Sequence, residues 1–207
     1  MKNVAKHFER GFTLLELLVT ISIVAILVAV AVPSMESSNK RGQVKAHQRH
    51  FLGALNYARS EAVSRNKLVS MCASNDGATC GTNWSGGWLI FVDDGAGSNY
   101  DNGSFDSDES LLQVYVHETR SLARVLDGDD ASALDSISWN FRGNTNTGNR
   151  VVAVICSHDS DDVYTRGLIV ERSGRVLNST DADNSGVHDS VFEADDGTVT
   201  RSDLSCS

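Results

Sequence analysis

The sequence predicts an α+β protein in which one long N-terminal helix packs on an antiparallel β-sheet head domain. Three observations support this class. Residues 14–32 are almost entirely apolar, the stretch after them has apolar residues at helical spacing, and the remainder contains many short apolar segments without a second helical pattern. One helix followed by a series of strands is typical of α+β proteins with antiparallel sheets.

Length and charge exclude several classes of protein. The chain of 207 residues has room for one ordinary soluble domain beside a leader and a membrane segment. Residues 1–11 carry three basic residues and one acid, so their removal changes the formal net charge from −9 to −11. Such an acidic protein is a poor nucleic-acid binder by default. The sequence contains no nucleophile elbow, zinc-binding helix motif or phosphate loop, so we expect no enzyme and no cofactor.

The first element is a basic head followed by the apolar run. A secretory signal has its cleavage site after the apolar region, whereas the small residue Gly11 comes before it. Cleavage after Gly11 would therefore retain the apolar segment, with Phe12 as the new N-terminus. The run of about 20 residues is long enough to span a bilayer, and the basic head places the N-terminus in the cytoplasm.

Glu16 is the one charge within this apolar run. A carboxylate at the centre of a membrane costs about 2.5–3.5 kcal/mol on insertion scales, so it is a functional hypothesis by default. Glu16 either reaches the headgroups by snorkelling or pairs with the free amine of Phe12 on a neighbouring subunit. Pro33 is predicted to kink or interrupt the helix, because proline lacks an N–H and clashes with the preceding turn.

Residues 34–66 are predicted to continue the helix as an amphipathic segment. Its apolar residues recur at spacings of seven, four, three and four: Val44, Phe51, Leu55, Ala58 and Ala62. This stripe is predicted to lie on the sheet of the head domain. The basic residues on the opposite face are interpreted as solvated, although contact with anionic headgroups or filament neighbours is an alternative.

Residues 67–207 form the predicted head domain. Short apolar segments flanked by polar turns predict six strands, at residues 68–72, 88–92, 111–116, 137–141, 151–156 and 168–170. Residues 172–175, which lie between the apolar segments 168–170 and 176–177, are interpreted as a hairpin turn in which Gly174 takes a positive φ.

The head contains an even number of cysteines, Cys72, Cys80, Cys156 and Cys206. In an exported domain this predicts disulfides, although four cysteines allow three connectivities. No Cys-x-x-Cys pair occurs, so a zinc site is not favoured.

The segment Gly11-Phe12-Thr13-Leu14-Leu15-Glu16-Leu17-Leu18-Val19 resembles the prepilin signature of type IV pilins and type II secretion pseudopilins. The resemblance implies that a prepilin peptidase cuts after Gly11 and methylates Phe12. It also implies that Glu16 helps subunits to enter a filament, and Pro33 falls where family members often kink the helix. Residues 54–65 and 84–93 are similar to the subgroup that contains the FimT and FimU minor pilins and the GspH pseudopilin.

This resemblance implies four segments: a leader (1–11), a transmembrane helix (12–33), an amphipathic helix (34–66) and a periplasmic β-rich head (67–207). By analogy with the family and by sequence proximity, Cys72 is expected to pair with Cys80, and Cys156 with Cys206. The expected location is the inner membrane of a Gram-negative bacterium, as a single-pass protein, and then a filament.

The resemblance also implies a function in assembly. The expected partners are the prepilin peptidase and other minor and major pilins or pseudopilins, which would bind through the N-terminal helix. The expected function is a minor type IV pilin that primes or caps the pilus. A type II secretion pseudopilin of the H type and a DNA-uptake minor pilin are the alternatives.

Two other patterns are weaker. Some FimT-like pilins take up DNA through a Gly-Arg-x-Arg motif, but here Gly174 and Arg175 are followed by Val176 and Leu177. Phosphate contacts would then rest on Arg166, Arg172 and Arg175. Because the chain is acidic and the motif is broken, we expect no nucleic-acid partner.

The segment 181–186 resembles the opening of a calcium loop, with Asp181, Asp183 and Ser185 as candidate ligands. Position twelve of such a loop is normally a bidentate glutamate, and here it is Phe192. A solvated acidic loop is therefore the favoured interpretation, and no metal is expected.

Overall fold

The structure is a computed structural model that describes residues 12–95, 100–116, 121–128, 130–193 and 199–206. Gly11 and the remainder of the predicted leader lie outside the described residues. The chain divides into two compact units, Met1–Asn39 and Lys40–Ser207. The hydrophobic core described below belongs to the second unit.

Helix α1 spans Leu14–Arg65. Its C-terminal end is a Schellman motif, in which Asn66 takes a φ of 55°. The N–H of Asn66 donates to Val63 O at 3.4 Å, and the N–H of Lys67 donates to Ala62 O at 3.2 Å. Asparagine suits this position because its short polar side chain tolerates the left-handed conformation.

The helical backbone of α1 continues through Pro33. The prediction that the proline interrupts the helix is therefore wrong, and the alternative of a kink stays a prediction. Within the part of the chain that the structure describes, no helix meets the length and hydropathy required to cross a bilayer.

The head contains ten strands among the described residues. In chain order they are β1 Val69–Ala73, β2 Gly87–Val92, β3 Ser110–Val116, β4 Ser121–Asp127, β5 Ser136–Trp139, β6 Val151–Ser157, β7 Arg166–Val170, β8 Val176–Asn178, β9 Asp189–Glu193 and β10 Val199–Asp203. One four-stranded sheet has the order β3-β2-β1-β5, a second has the order β4-β6-β7-β8, and β9 pairs with β10. All of these pairings are antiparallel.

The apolar stripe of α1 is buried, as predicted. Val44, Phe51, Leu55, Ala58 and Ala62 are each at most 1% exposed. They share one core with residues from both four-stranded sheets. The predicted class, a long helix packed on antiparallel sheets, is confirmed.

Aromatic side chains form the part of this core around Phe51 of α1. Phe51 meets Trp84 and Trp88 edge to face, with ring centroids 5.6 Å and 5.1 Å apart. Trp88 stacks on Tyr115 at 4.2 Å. The indole N–H of Trp84 donates to Leu134 O at 2.7 Å, which satisfies a buried polar group. Full burial of a side chain such as Phe51 contributes about 1.5–3 kcal/mol.

Each of the six predicted strands corresponds to an observed one, and the hairpin turn at residues 172–175 is present. Gly174 there has a φ of 74°, as expected. The sequence reasoning missed β4, β9 and β10. Among the described side chains of β4 the buried ones are Ser121, Ala123, Val125 and Asp127, so the alternation is not visible as large apolar residues. Strands β9 and β10 are short and rich in charged and hydroxyl residues.

Candidate functional site

The candidate assembly site begins at the N-terminal end of α1. Thr13 is the N-cap, and its Oγ1 accepts a hydrogen bond from the N–H of Glu16 at 3.2 Å. The sequence Thr-x-x-Glu is the capping-box signature, so Glu16 occupies the third position of the helix. A negative charge in the first turn also interacts favourably with the helix dipole. The sequence reasoning missed this role of Thr13, although the capping-box spacing would have predicted it.

The apolar residues that follow are exposed in the single chain. Phe12 is 79% exposed, and the large apolar residues from Leu14 to Val28 are all at least half exposed. The two hydroxyls in this stretch are satisfied locally, since Thr20 donates to Leu17 O and Ser22 to Leu18 O, both at 2.8 Å. A contiguous apolar surface of this kind marks contact with a membrane or with partner proteins.

Two basic residues of α1 attach the helix to turns of the head. Lys40 Nζ lies 2.6 Å from Asp159 Oδ2. The hydrogen bonds from Lys40 and then Ser157 lower the pKa of Asp159 to about 2. Arg59 Nε donates to Gly143 O, and its Nη2 donates to Ser173 O, each at 3.0 Å. The predicted solvated face of the helix therefore also holds two residues that orient the head.

Both expected disulfides are present, Cys72–Cys80 and Cys156–Cys206. The second joins residues 50 apart in sequence and holds the C-terminal tail. Leu204 and Cys206 pack against Val152 and Val154 on the outer face of β6. The N–H of Cys206 also donates to Asp162 Oδ1 at 2.8 Å. The disulfide thus closes a small second core formed by the tail.

The structure does not bring the three candidate DNA-contacting arginines together. Arg166 begins β7, and its Nη1 donates to Thr165 O at 2.8 Å. Arg172 and Arg175 lie in the turn at the other end of β7, and the five residues of that strand span about 14 Å at roughly 3.4 Å per residue. Arg175 is ion-paired with Glu171, Nε to Oε2, at 3.1 Å.

The candidate calcium loop lies between β8 and β9. Asp181 and Asp183 lie close together, and Asp189 joins them, with one carboxylate oxygen of each residue within 4.8 Å of the others. The hydroxyl of Ser185 instead donates to Val187 O at 3.4 Å and to Asp203 Oδ1 at 3.3 Å. Asp189, at position nine, was not predicted as a ligand, because Phe192 at position twelve argued against a calcium site.

A further acid that the sequence reasoning did not single out for a role of its own is Asp93, which is fully buried. Its Oδ2 accepts from Ser70 Oγ at 2.6 Å and Gly103 N at 3.0 Å, and its Oδ1 accepts from Asn102 N at 3.2 Å. Burial raises the pKa of Asp101, and the charge of Asp93 raises it further. Asp93 organises the loop between β2 and β3, and its partners become visible only in the folded chain.

The capped N-terminal helix with exposed apolar residues and the two-sheet head define a type IV pilin-like protein, a minor pilin or pseudopilin. The sequence matches the prokaryotic N-terminal methylation motif over residues 6–32. It also matches the family described as Type II transport protein GspH over residues 47–174, and the chain belongs to this family. Pilins and pseudopilins are structural proteins and not enzymes, and the methylation motif implies a membrane-anchored pilus or pseudopilus.

Individual relatives agree with this class. The chain is 36% identical over 95 residues to the pilin-like protein PilA1 of Thermus thermophilus, which covers 46% of this chain and 55% of PilA1. The chain thus matches about half the length of that curated relative. The type IV minor pilin FimU of Pseudomonas aeruginosa superposes with a TM-score of 0.52 at 20% identity, covering 68% of this chain and 90% of FimU. This likeness shows a shared fold.

A second solved structure is the minor pseudopilin EpsH from the type 2 secretion system of Vibrio cholerae. Its TM-score is 0.46 at 10% identity, with 67% of this chain and 98% of EpsH covered. The family to which the chain belongs suggests association with other pilins in a filament.

Proposed function

We propose that the protein is a minor type IV pilin that primes or caps assembly of the pilus filament. The observation that carries this proposal is the position of Glu16, in the first turn of a helix whose following apolar residues are exposed. After cleavage behind Gly11, Phe12 would carry the N-terminal amine, and Glu16 would lie four residues away on the same helix. An amine and a carboxylate at this spacing on neighbouring helices form a pair that guides one subunit beside the next.

This pair favours insertion into the filament because it offsets the desolvation cost of the Glu16 carboxylate. An unpaired carboxylate costs about 2.5–3.5 kcal/mol in the bilayer centre. Pairing with the methylated amine of a neighbour removes that cost, while the apolar side chains pack helix against helix. The head, which the helix stripe and two disulfides hold together, would remain outside the membrane and contact other minor subunits.

A pseudopilin of the type II secretion system is the second candidate, favoured by the description of the matched family as a type II transport protein. Deletion of the protein from its own bacterium separates the two. A minor pilin is expected to reduce the number of surface pili and leave secretion of exported enzymes normal. Loss of secretion with normal piliation would instead support the pseudopilin.

Processing is the first testable step. Replacing Gly11 with lysine is expected to abolish cleavage, because the peptidase must accommodate this residue beside the scissile bond. Mass spectrometry of the membrane-bound protein should find Phe12, methylated, as the first residue of the unaltered chain and an intact leader in the variant. A mature chain that begins at any other residue would contradict the proposed processing.

The DNA-uptake alternative has a direct test. The full chain in detergent is expected not to shift duplex DNA near physiological salt. Glu171 neutralises Arg175, and Arg166 lies at the other end of β7. Phosphate binding would weaken steeply as salt rises. Arg65 is a matched control, since it pairs with Glu61 in the same four-residue spacing as Arg175 with Glu171. A salt-sensitive shift that Arg175→Gln abolishes and Arg65→Gln retains would support DNA uptake.

A further inference from the structure

The loop between β8 and β9 places three carboxylates at one point. Counting Asp181 as the first position, Asp183 is the third and Asp189 the ninth, which are positions that supply oxygen ligands in calcium loops. Gly186, at the sixth position, has a φ of 92°, and its N–H donates to Asp181 Oδ2 at 3.0 Å. The backbone therefore turns sharply where a calcium loop requires a glycine.

One of these carboxylates is buried, and one oxygen of a second, half-buried carboxylate is also removed from solvent. Oδ1 of Asp181 is buried and accepts no hydrogen bond from any residue that the structure describes. Asp189 is 1% exposed, and its Oδ2 accepts a hydrogen bond from the N–H of Ala182 at 2.7 Å. A buried carboxylate oxygen without a donor is costly, and a bound cation is one of the few ways to satisfy it.

The charges around the loop leave an excess of negative charge. Among the side chains that the structure describes, Arg166 interacts with Asp181, and His188 interacts with Asp181 and Asp189. Nδ1 of His188 lies 2.9 Å from Ser179 O. Asp203 adds a fourth carboxylate through its contact with Ser185. Within the described part of the chain, the carboxylates at this loop therefore outnumber the guanidinium of Arg166.

We propose that Asp181, Asp183 and Asp189 bind Ca²⁺. The donors are all oxygens, which favour a hard cation over zinc or copper. Irregular ligand positions suit Ca²⁺ better than Mg²⁺, which requires near-ideal octahedral geometry. Position twelve is Phe192 and not the usual bidentate glutamate, so the affinity falls in the weak range of extracellular modules, with a Kd of about 10⁻⁴–10⁻³ M.

The bound ion would hold together the part of the head that follows β8. The loop contacts Asp203 at the end of β10, three residues before the disulfide-bonded Cys206. Calcium would therefore tie the β8–β9 loop to the C-terminal tail.

Isothermal titration of the chelator-stripped full chain in detergent micelles with CaCl₂ tests the site. The expected result is one saturable binding event, weakened about tenfold or more by Asp183→Asn. Asparagine retains Oδ1, which accepts the N–H of Ser185 at 2.9 Å, so the loop is preserved while one charge is lost. Asp130→Asn is the matched control, because the exposed Asp130 accepts the N–H of Ser132 at 2.8 Å in the same way. It is expected to bind as the unaltered chain does.

Three results would overturn the proposal. These are no saturable binding up to about 10 mM Ca²⁺, well above the expected range, equal affinity in the Asp183→Asn variant, and Mg²⁺ binding as tight as Ca²⁺. A second readout does not depend on heats of binding. Ca²⁺ is expected to raise the thermal unfolding midpoint of the unaltered chain and of Asp130→Asn, and to leave that of Asp183→Asn nearly unchanged. Equal shifts in all three would place the ion elsewhere.

Discussion

Replacing Glu16 with alanine is expected to reduce the incorporation of the protein into filaments about tenfold or more, while cleavage and the amount in the membrane stay normal. Breaking a buried ion pair by removing one partner costs about 3–5 kcal/mol, because the other charge is left uncompensated. Each 1.4 kcal/mol corresponds to about a factor of ten in an equilibrium constant. The measurement is the ratio of this protein in sheared filaments to that in the membrane fraction.

Two further variants separate the charge of Glu16 from its place in the helix cap. Glu16→Gln retains a residue that can complete the capping box but removes the charge, and it is expected to behave like Glu16→Ala. Thr13→Ala removes the hydroxyl that accepts the N–H of Glu16, at a cost of about 1 kcal/mol to the helix, but keeps the charge. It is expected to enter filaments nearly normally. If Thr13→Ala instead reduced entry into filaments and Glu16→Gln did not, Glu16 would act as a helix-capping residue and not as an ionic partner.

Replacing Cys156 and Cys206 together with alanine is expected to lower the free energy of unfolding by about 4 kcal/mol. The bond joins residues 50 apart, and the chain-entropy estimate for a loop of that size is about 4 kcal/mol. Loss of the bond would also release Leu204, which is 4% exposed, from the tail core. Denaturant unfolding of the full chain in detergent gives the measurement.

The second disulfide supplies the comparison. Cys72 and Cys80 are 8 residues apart, so the same estimate for their paired alanine variant is about 2.5 kcal/mol. A larger loss from this pair than from Cys156 and Cys206 would contradict the loop-entropy account. Peptide mapping of native material under non-reducing conditions that finds a free Cys206 would contradict the pairing itself.

The helix and its buried stripe were predictable because their signals are local. Side chains such as Val44, Phe51 and Leu55 repeat at the helical period, so their common face follows from the sequence alone. The short apolar strands were predictable for the same reason. Strand β4 was not, since its buried face is built from Ser121, Ala123 and Val125, and only the packing of the helix and β6 around it shows that those small residues lie inside.

The candidate sites also differ in whether their residues are close together in the sequence. The pattern around Gly11, Phe12 and Glu16 depends on residues close together in the chain, and the methylation motif matched over that segment. Asp181 and Asp183 are also close together in the sequence, so they could be predicted as a pair. Asp189 completes the cluster because β9 begins there and turns its side chain back towards the loop, and this depends on the pairing of β9 with β10.

The sequence by itself determined the class of the protein: a prepilin-like N-terminus, a long helix with one buried stripe, and a strand-rich head with two cysteine pairs. Hydrophobic periodicity and short motifs encode these features, because they act between residues a few positions apart. Only the tertiary structure decided which polar and charged groups lie together. The length of β7 separates Arg166 from Arg175. Asp93 accepts hydrogen bonds from Ser70 and Gly103, and Asp189 lies beside Asp181. Such contacts link residues on different elements, and their positions follow from strand order and register rather than from any local pattern.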